Sequence, residues 1–177
     1  MGCAATLKPP PAPDDPRPVY LLDHGRHTSL LLTDREARLW RYAYGEWRWY
    51  VGFERGPTRA LGALFTPTQA ALGRATLSGP ADADALQPQV GSVIEAILPF
   101  EAEAARVDAL LAALDALFQA APEAPRRSAE LGLDVVPHPV PYTYRHNSNH
   151  AVAEWLVALG FELRGDPMWG RWRVEAR

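Results

Sequence analysis

The sequence predicts one α+β domain, and three observations carry that prediction. Two segments, around 101–118 and 148–159, place apolar residues at helical spacing. Short apolar runs bounded by Gly, Pro or Asp read as strands. Strands and helices do not alternate in a βαβ rhythm and no internal repeat is visible, so a mostly antiparallel sheet packed against those two helices is expected. A chain of 177 residues that is 47% apolar and 22% charged can bury a core without disulfides or metals.

Taken in order, residues 19–22 and 29–32 are apolar runs bracketing a polar turn at 24–28, and predict two buried strands or one bulged strand. Residues 40–50 (WRYAYGEWRWY) alternate aromatic with polar or small side chains, which suits a strand pair around Gly45. Residues 57–64 and 66–72 predict short helices, the second with Thr66 as cap and Pro67 at its first position. A strand is expected at 74–77, a polar connection at 80–89 and a strand at 93–98. From Glu101 a helix follows, with Val107, Leu110, Leu111, Leu114, Leu117 and Phe118 on its apolar side. A loop at 121–127 ends it. Residues 131–136 read as a strand, and the prolines within 137–141 demand irregular backbone or an edge. The last helix, 148–159, buries Val152, Trp155, Leu156 and Leu159 and stops at Gly160. Final strands are expected at 161–163 and 172–174.

The net charge of -3 gives no reason to expect nucleic acid. No stretch approaches the roughly 18–20 apolar residues of a membrane span, so a soluble body is expected. The one cysteine, Cys3, excludes an internal disulfide and leaves no thiol for catalysis in the body of the chain. Residues 7–18 are rich in proline and lack apolar periodicity, which predicts an extended tether (1–18) ahead of a domain at 19–177. Met1-Gly2-Cys3 followed by this stretch also fits a myristoylation pattern with a second acyl site. The Ala/Arg/Pro/Leu-rich composition argues for a bacterial source and against that pattern.

Two polar clusters carry the chemistry. His146-Asn147-Ser148-Asn149-His150 runs into the last helix, placing Ser148 in its first turn with its side chain toward the core. Unpaired N–H groups and the helix dipole there favour negative charge developing on a nucleophile. The plainer alternative is that Asn147 or Ser148 caps the helix. Far away in sequence, Asp23-His24-Gly25-Arg26-His27-Thr28 could supply a base: His27 is the last polar side chain before a buried strand, and His24 remains an alternative. Glu46 is a candidate orienting carboxylate. Trp47, Trp49 and Tyr50 could wall a groove suited to a glycan or an acyl chain, although tryptophans in a small domain also serve the core. The pairs His24/His27 and His146/His150 have spacing compatible with a metal, but neither a His-Glu-x-x-His pattern nor a second cysteine accompanies them, and no metal or other cofactor is expected. Whether Ser148 and His27 meet in space decides between these readings.

These motifs resemble a known group. His24-Gly25-Arg26-His27-Thr28 is similar to the His-Gly-x-His-Thr-Gly segment of an uncharacterised bacterial lipoprotein family. Tyr42-Ala43-Tyr44-Gly45-Glu46 with Trp49-Tyr50 looks like that family's Phe-Gly-Trp-Gly-Asp…Phe-Tyr segment. Asn147-Ser148-Asn149 resembles its Cys-Asn-Thr motif, and with His150-Ala151-Val152 also the Asn-Cys-x-His-Phe-Val box of the lecithin:retinol acyltransferase-like group. Both resemblances imply a circularly permuted papain-like (NlpC-type) fold, with histidine early and nucleophile late. They imply an envelope protein lipidated at Cys3 and facing the periplasm, though the charged and apolar parts of a signal are not seen; a cytoplasmic protein with a disordered leader is the alternative. Membrane contact would run only through that lipid. Catalytic roles would fall to Ser148, His27 and Glu46, and ligand contacts to His24, Trp47, Trp49, Tyr50, Asn147, Asn149 and His150, toward a cell-wall glycan or peptide or an acyl ligand. Serine at the cysteine position departs from the pattern. A hydroxyl cannot be drawn to its anion as a thiol can, so the expectation is a degenerate binding module. The alternatives are a serine-dependent amidase, esterase or acyltransferase, and an interaction protein without a catalytic site.

Overall fold

Apolar runs without alternation, such as Leu30-Leu31-Leu32, mean strands covered on both faces, and the structure has that arrangement. The computed structural model describes residues 4–52 and 66–175. The described strands are β1 (Ala5–Lys8), β2 (Pro16–Asp23), β3 (Thr28–Thr33), β4 (Leu39–Glu46), β5 (Thr68–Leu77), β6 (Ala96–Glu103), β7 (Arg126–Ser128), β8 (Leu133–Tyr142), β9 (Glu162–Arg164) and β10 (Trp172–Val174). The helices are α1 (Trp47–Gly52), α2 (Ala83–Leu86), α3 (Ala104–Gln119) and α4 (Ser148–Ala158). Seven strands form an antiparallel sheet in the order β6-β2-β3-β4-β5-β8-β7. A three-stranded sheet, β10-β1-β9, includes a parallel β1–β10 pair. The chain is thus α+β with a mostly antiparallel sheet.

One face of the large sheet, including Leu30, Leu32, Tyr42, Tyr44 and Leu72, packs on α3 through Val107, Leu110, Leu114 and Phe118, and on α4 through Val152, Trp155 and Leu156. On the other face Leu22, Leu31, Leu39 and Leu77 lie under Leu86, Val90 and Ile94 of the α2 region. Next to them Ala43, Ala71, Leu133 and Val135 are covered by Leu131 and by Trp47, Tyr50 and Val51 of α1.

Several expectations are corrected. Residues 7–18 are not wholly a tether. β1 buries Ala5 and Leu7 completely and pairs with β9 and β10. Its alternation is four residues long and was masked by the adjacent prolines. Residues 40–50 are not a strand pair: β4 runs through Gly45, α1 follows, and the Tyr50 ring folds back onto the space a Cβ at Gly45 would occupy. Residues 66–72 are not a helix but the start of β5, a strand between β4 and β8 with Ala70, Ala71 and Leu72 buried on both faces. Alanine-rich sequence favours helix locally, and tertiary burial overrode it.

Pro137, Pro139 and Pro141 lie within β8 rather than breaking it. They lie beyond the last residue of β8 that pairs with β7, Val135, where one edge of the strand has no described neighbour in the sheet to receive an N–H. The strand expected at 93–98 starts at Ala96 and continues to Glu103, and the connection at 80–89 contains α2. The helix expected at 57–64 lies outside the described residues, as does Cys3. No described helix is long and apolar enough to cross a membrane.

Candidate functional site

The β2–β3 turn delivers His27 to one end of the sheet. The His24 N–H donates to the His27 carbonyl at 2.9 Å, and the Gly25 N–H donates to the Asp23 carboxylate at 2.7 Å. α4 delivers Ser148 to the same place, because its stripe of Val152, Trp155 and Leu156 must face the sheet. The two side chains, far apart in sequence, meet with Ser148 Oγ 3.0 Å from His27 Nδ1. Ser148 is 3% exposed, whereas His27 keeps an edge open to solvent. The crowded surroundings of the imidazole, and then the positive charge of Arg26, hold the His27 pKa below its ordinary value. His27 is therefore neutral at pH 7, and in the tautomer with a bare Nδ1 it accepts from the Ser148 hydroxyl.

The residues flanking Ser148 hold this geometry rather than reaching outward. Asn147 is the N-cap of α4, its side-chain oxygen accepting from the Asn149 and His150 N–H groups. His150 completes a capping box by accepting from the Asn147 N–H, and its other ring nitrogen meets Asp166 at 3.1 Å. Asn149, 1% exposed, joins three segments. Its oxygen accepts from the Thr28 hydroxyl at 3.0 Å, and its amide donates to the carbonyls of Arg26 and Met168. Asn147 also donates to the Met168 carbonyl, at 3.1 Å. Asn147, Asn149 and His150, expected to contact a ligand, have their side-chain polar atoms engaged within the protein, where they scaffold the site. The Met168 loop carries Trp169, 56% exposed, and Gly170 at φ +68. A Cβ at Gly170 would come within about 3.3 Å of the Arg26 backbone and the Asn149 amide, so a side chain there would push the loop off the site.

Other candidates are placed elsewhere. Glu46 accepts from the Trp49 N–H at 2.8 Å, at the start of α1, and among the described residues no carboxylate is hydrogen-bonded to His27. The orienting role expected for Glu46 is therefore not supported by a contact. His24 is not bonded to Ser148. Its Nε2 accepts from the Ser29 hydroxyl at 2.9 Å while Nδ1–H donates to the Val93 carbonyl at 2.9 Å. Ser29 in turn accepts from Nε of Arg41, a residue 2% exposed that also donates to the Leu131 carbonyl. Burial and then the Arg41 charge bring the His24 pKa down to about 4, and burial lowers that of Arg41 to about 10.

Trp47 and Tyr50 pack into the sheet face opposite α4, leaving Trp49 as the most open of the three expected wall residues at 41% exposure. His146 Nδ1 lies 3.1 Å from the Tyr44 hydroxyl, and its Nε2 meets Glu154 at 3.3 Å. Each histidine of the two sequence pairs thus has its own partner. Among the described residues no group of three or more His, Cys, Asp or Glu side chains is arranged to hold a metal ion. Thr28, which closes the quoted motif, belongs to this region together with Ser29, Arg41 and the Met168–Gly170 turn. The sequence holds no signal for Arg41 or for the Met168–Gly170 turn.

Chemically, the arrangement offers a hydroxyl at a helix N-terminus beside a neutral imidazole. Comparison with models of known families, with curated proteins and with solved structures finds no match to this chain.

Proposed function

We propose that the chain is a permuted papain-like domain in which Ser148 and His27 act as nucleophile and base on an amide or ester. The single observation that supports this reading most is the 3.0 Å contact between Ser148 Oγ and the Nδ1 of a neutral imidazole. In the proposed reaction Ser148 Oγ attacks the carbonyl carbon as its proton passes to His27 Nδ1. Collapse of the tetrahedral oxyanion expels the alcohol or amine, which takes that proton, and water or a second alcohol then resolves the acyl-serine. The Asn149 and His150 N–H groups are taken up by the Asn147 cap. The Ser148 N–H makes no hydrogen bond among the described residues, and is the donor that would face the oxyanion.

A degenerate binding module is the second reading. It is favoured by the 3% exposure of Ser148 and by the lack, among the described residues, of a carboxylate bonded to His27. Stopped-flow hydrolysis of p-nitrophenyl acetate separates the two. The catalytic reading expects a burst of p-nitrophenolate approaching one per protein, absent in Ser148→Ala and slowed at least about a hundredfold in His27→Ala. No burst in the unmodified protein leaves the binding module. Envelope attachment is proposed through Cys3 on the strength of the Gly2-Cys3 junction. The lipid would then be carried two residues from buried Ala5 rather than at the end of a long tether. Palmitate incorporation that is lost in Cys3→Ala is the expected outcome.

A further inference from the structure

An imidazole that serves a serine nucleophile is commonly steadied by a carboxylate, and here the charge beside it has the opposite sign. Arg26 immediately precedes His27, its side chain is exposed, and its guanidinium is near enough to disfavour protonation of His27. Among the described residues it forms no ion pair. The Arg26 backbone is fixed at the site, with its carbonyl accepting from Asn149 at 3.0 Å and Gly170 packed against it. Arg171, also exposed and without an ion pair among the described residues, follows Gly170, and its carbonyl accepts from the Ala5 N–H at 2.9 Å.

Beneath the turn, the buried cation Arg41 donates to a hydroxyl and a carbonyl, and no described carboxylate neutralises it. The acids nearby are placed otherwise. Asp166 meets His150, the Glu95 carboxylate lies against Gly25, and desolvation, with the Glu95 charge behind it, keeps the Asp23 carboxyl above its ordinary pKa. Among the described residues none of these three guanidiniums is ion-paired, while the Asp23 and Glu95 carboxylates lie on the Gly25 side of the turn.

We infer that the Ser148–His27 site takes an anionic ligand, and that Arg26 reads a carboxylate or phosphate group carried close to the reacting carbonyl. The planar guanidinium suits both oxyanions through paired N–H donors. The ligand supplies the oxyanion partner that Arg26 lacks among the described residues, so a neutral acyl compound of the same size binds less well. That the ligand is an acyl compound rests on the function proposed above, whereas its being an anion does not.

The test uses a probe that needs no turnover. In full-length Ser148→Cys, the rate of alkylation by iodoacetate relative to iodoacetamide reports the potential at position 148. At low salt the ratio should exceed that of free cysteine by about tenfold, within the range over which local fields change association rates. Adding Arg26→Ala should return it to the free-cysteine value. Adding Arg26→Lys, or Arg127→Ala on the distant edge strand β7, should leave it raised. Protection by acetate or by inorganic phosphate, whichever acts at the lower concentration, names the class of anion.

A ratio no higher than that of free cysteine, or one indifferent to Arg26→Ala, overturns the inference. If the thiol is too enclosed for either reagent, the His27 ring resonances of the unmodified chain are followed during acetate and phosphate titrations. A saturable shift lost in Arg26→Ala supports the site, and no shift rejects it. A raised ratio without a p-nitrophenolate burst keeps the anion site and removes the enzyme. A burst with a flat ratio does the reverse.

Discussion

At position 148 a hydroxyl stands where the resemblance expects a thiol, and its acidity decides how the site can work. A thiol at a helix N-terminus can be held as thiolate, but serine must lose its proton as the bond forms, so everything depends on the protonation state of His27. The His27 pKa lies below 6.5, so the base is free at neutral pH and is lost only as pH falls through that lowered value. Burst rate against pH should therefore be flat from 8 to 6.5 and decline below; a decline that begins near 8 would mean that another group serves as base.

His24 makes a separate statement through stability. Its folded pKa of about 4 lies below its unfolded value, so the unfolded chain takes up a proton first. Its contribution is present above about 6.5 and is lost as pH falls toward 4. His27 and His138, also lowered, act in the same direction, whereas the raised Asp23 opposes them at the acid end. Urea unfolding between pH 7 and pH 4 should show a smaller loss of stability in His24→Asn, which keeps a donor for the Val93 carbonyl. An unchanged slope would mean that His24 does not titrate with folding.

Among the elements, the α4 N-terminus depends on its asparagines more than on the helix itself. Asn149 binds the β2–β3 turn, the helix and the Met168 loop together from a buried position. Asn149→Ala would leave the Thr28 hydroxyl and two carbonyls without that partner, and should cost about 2–3 kcal/mol in urea denaturation as well as the burst. A variant of wild-type stability would mean that water takes over these bonds. Ser148 and His27 were legible because each closes a polar cluster at the edge of an apolar run. Placing Ser148 needed only the helical period that aims it at the sheet. The Asn147 cap was legible from its type and position. The role of Asn149 was not, because its partners lie at Arg26, Thr28 and Met168 and nothing local marks them. Glu46, a candidate orienter in the sequence, accepts from the Trp49 N–H at the start of the next helix, a partner that its neighbours in sequence do not mark.

Across the whole molecule, sequence reading recovered the α+β class, α3 and α4 because long apolar periods survive any context. It lost the first half of β5 to its alanines and left the proline-bearing half of β8 between irregular backbone and an edge, because pairing partners decide the backbone there. It also lost β1, whose two buried side chains belong to a small sheet closed by the other end of the chain. If β1 is part of the fold rather than a leader, Leu7→Ala should destabilise the protein by about 2–4 kcal/mol. A change of a few tenths would restore the tether. The central claim remains the pairing of Ser148 with His27 as nucleophile and base. Its most direct measurement is mass-spectrometric peptide mapping after treatment with a fluorophosphonate ester. One adduct is expected, on Ser148, and it should form far more slowly in His27→Ala than in His24→Asn or the unmodified chain. No adduct at Ser148, or one that forms equally fast without His27, would contradict it.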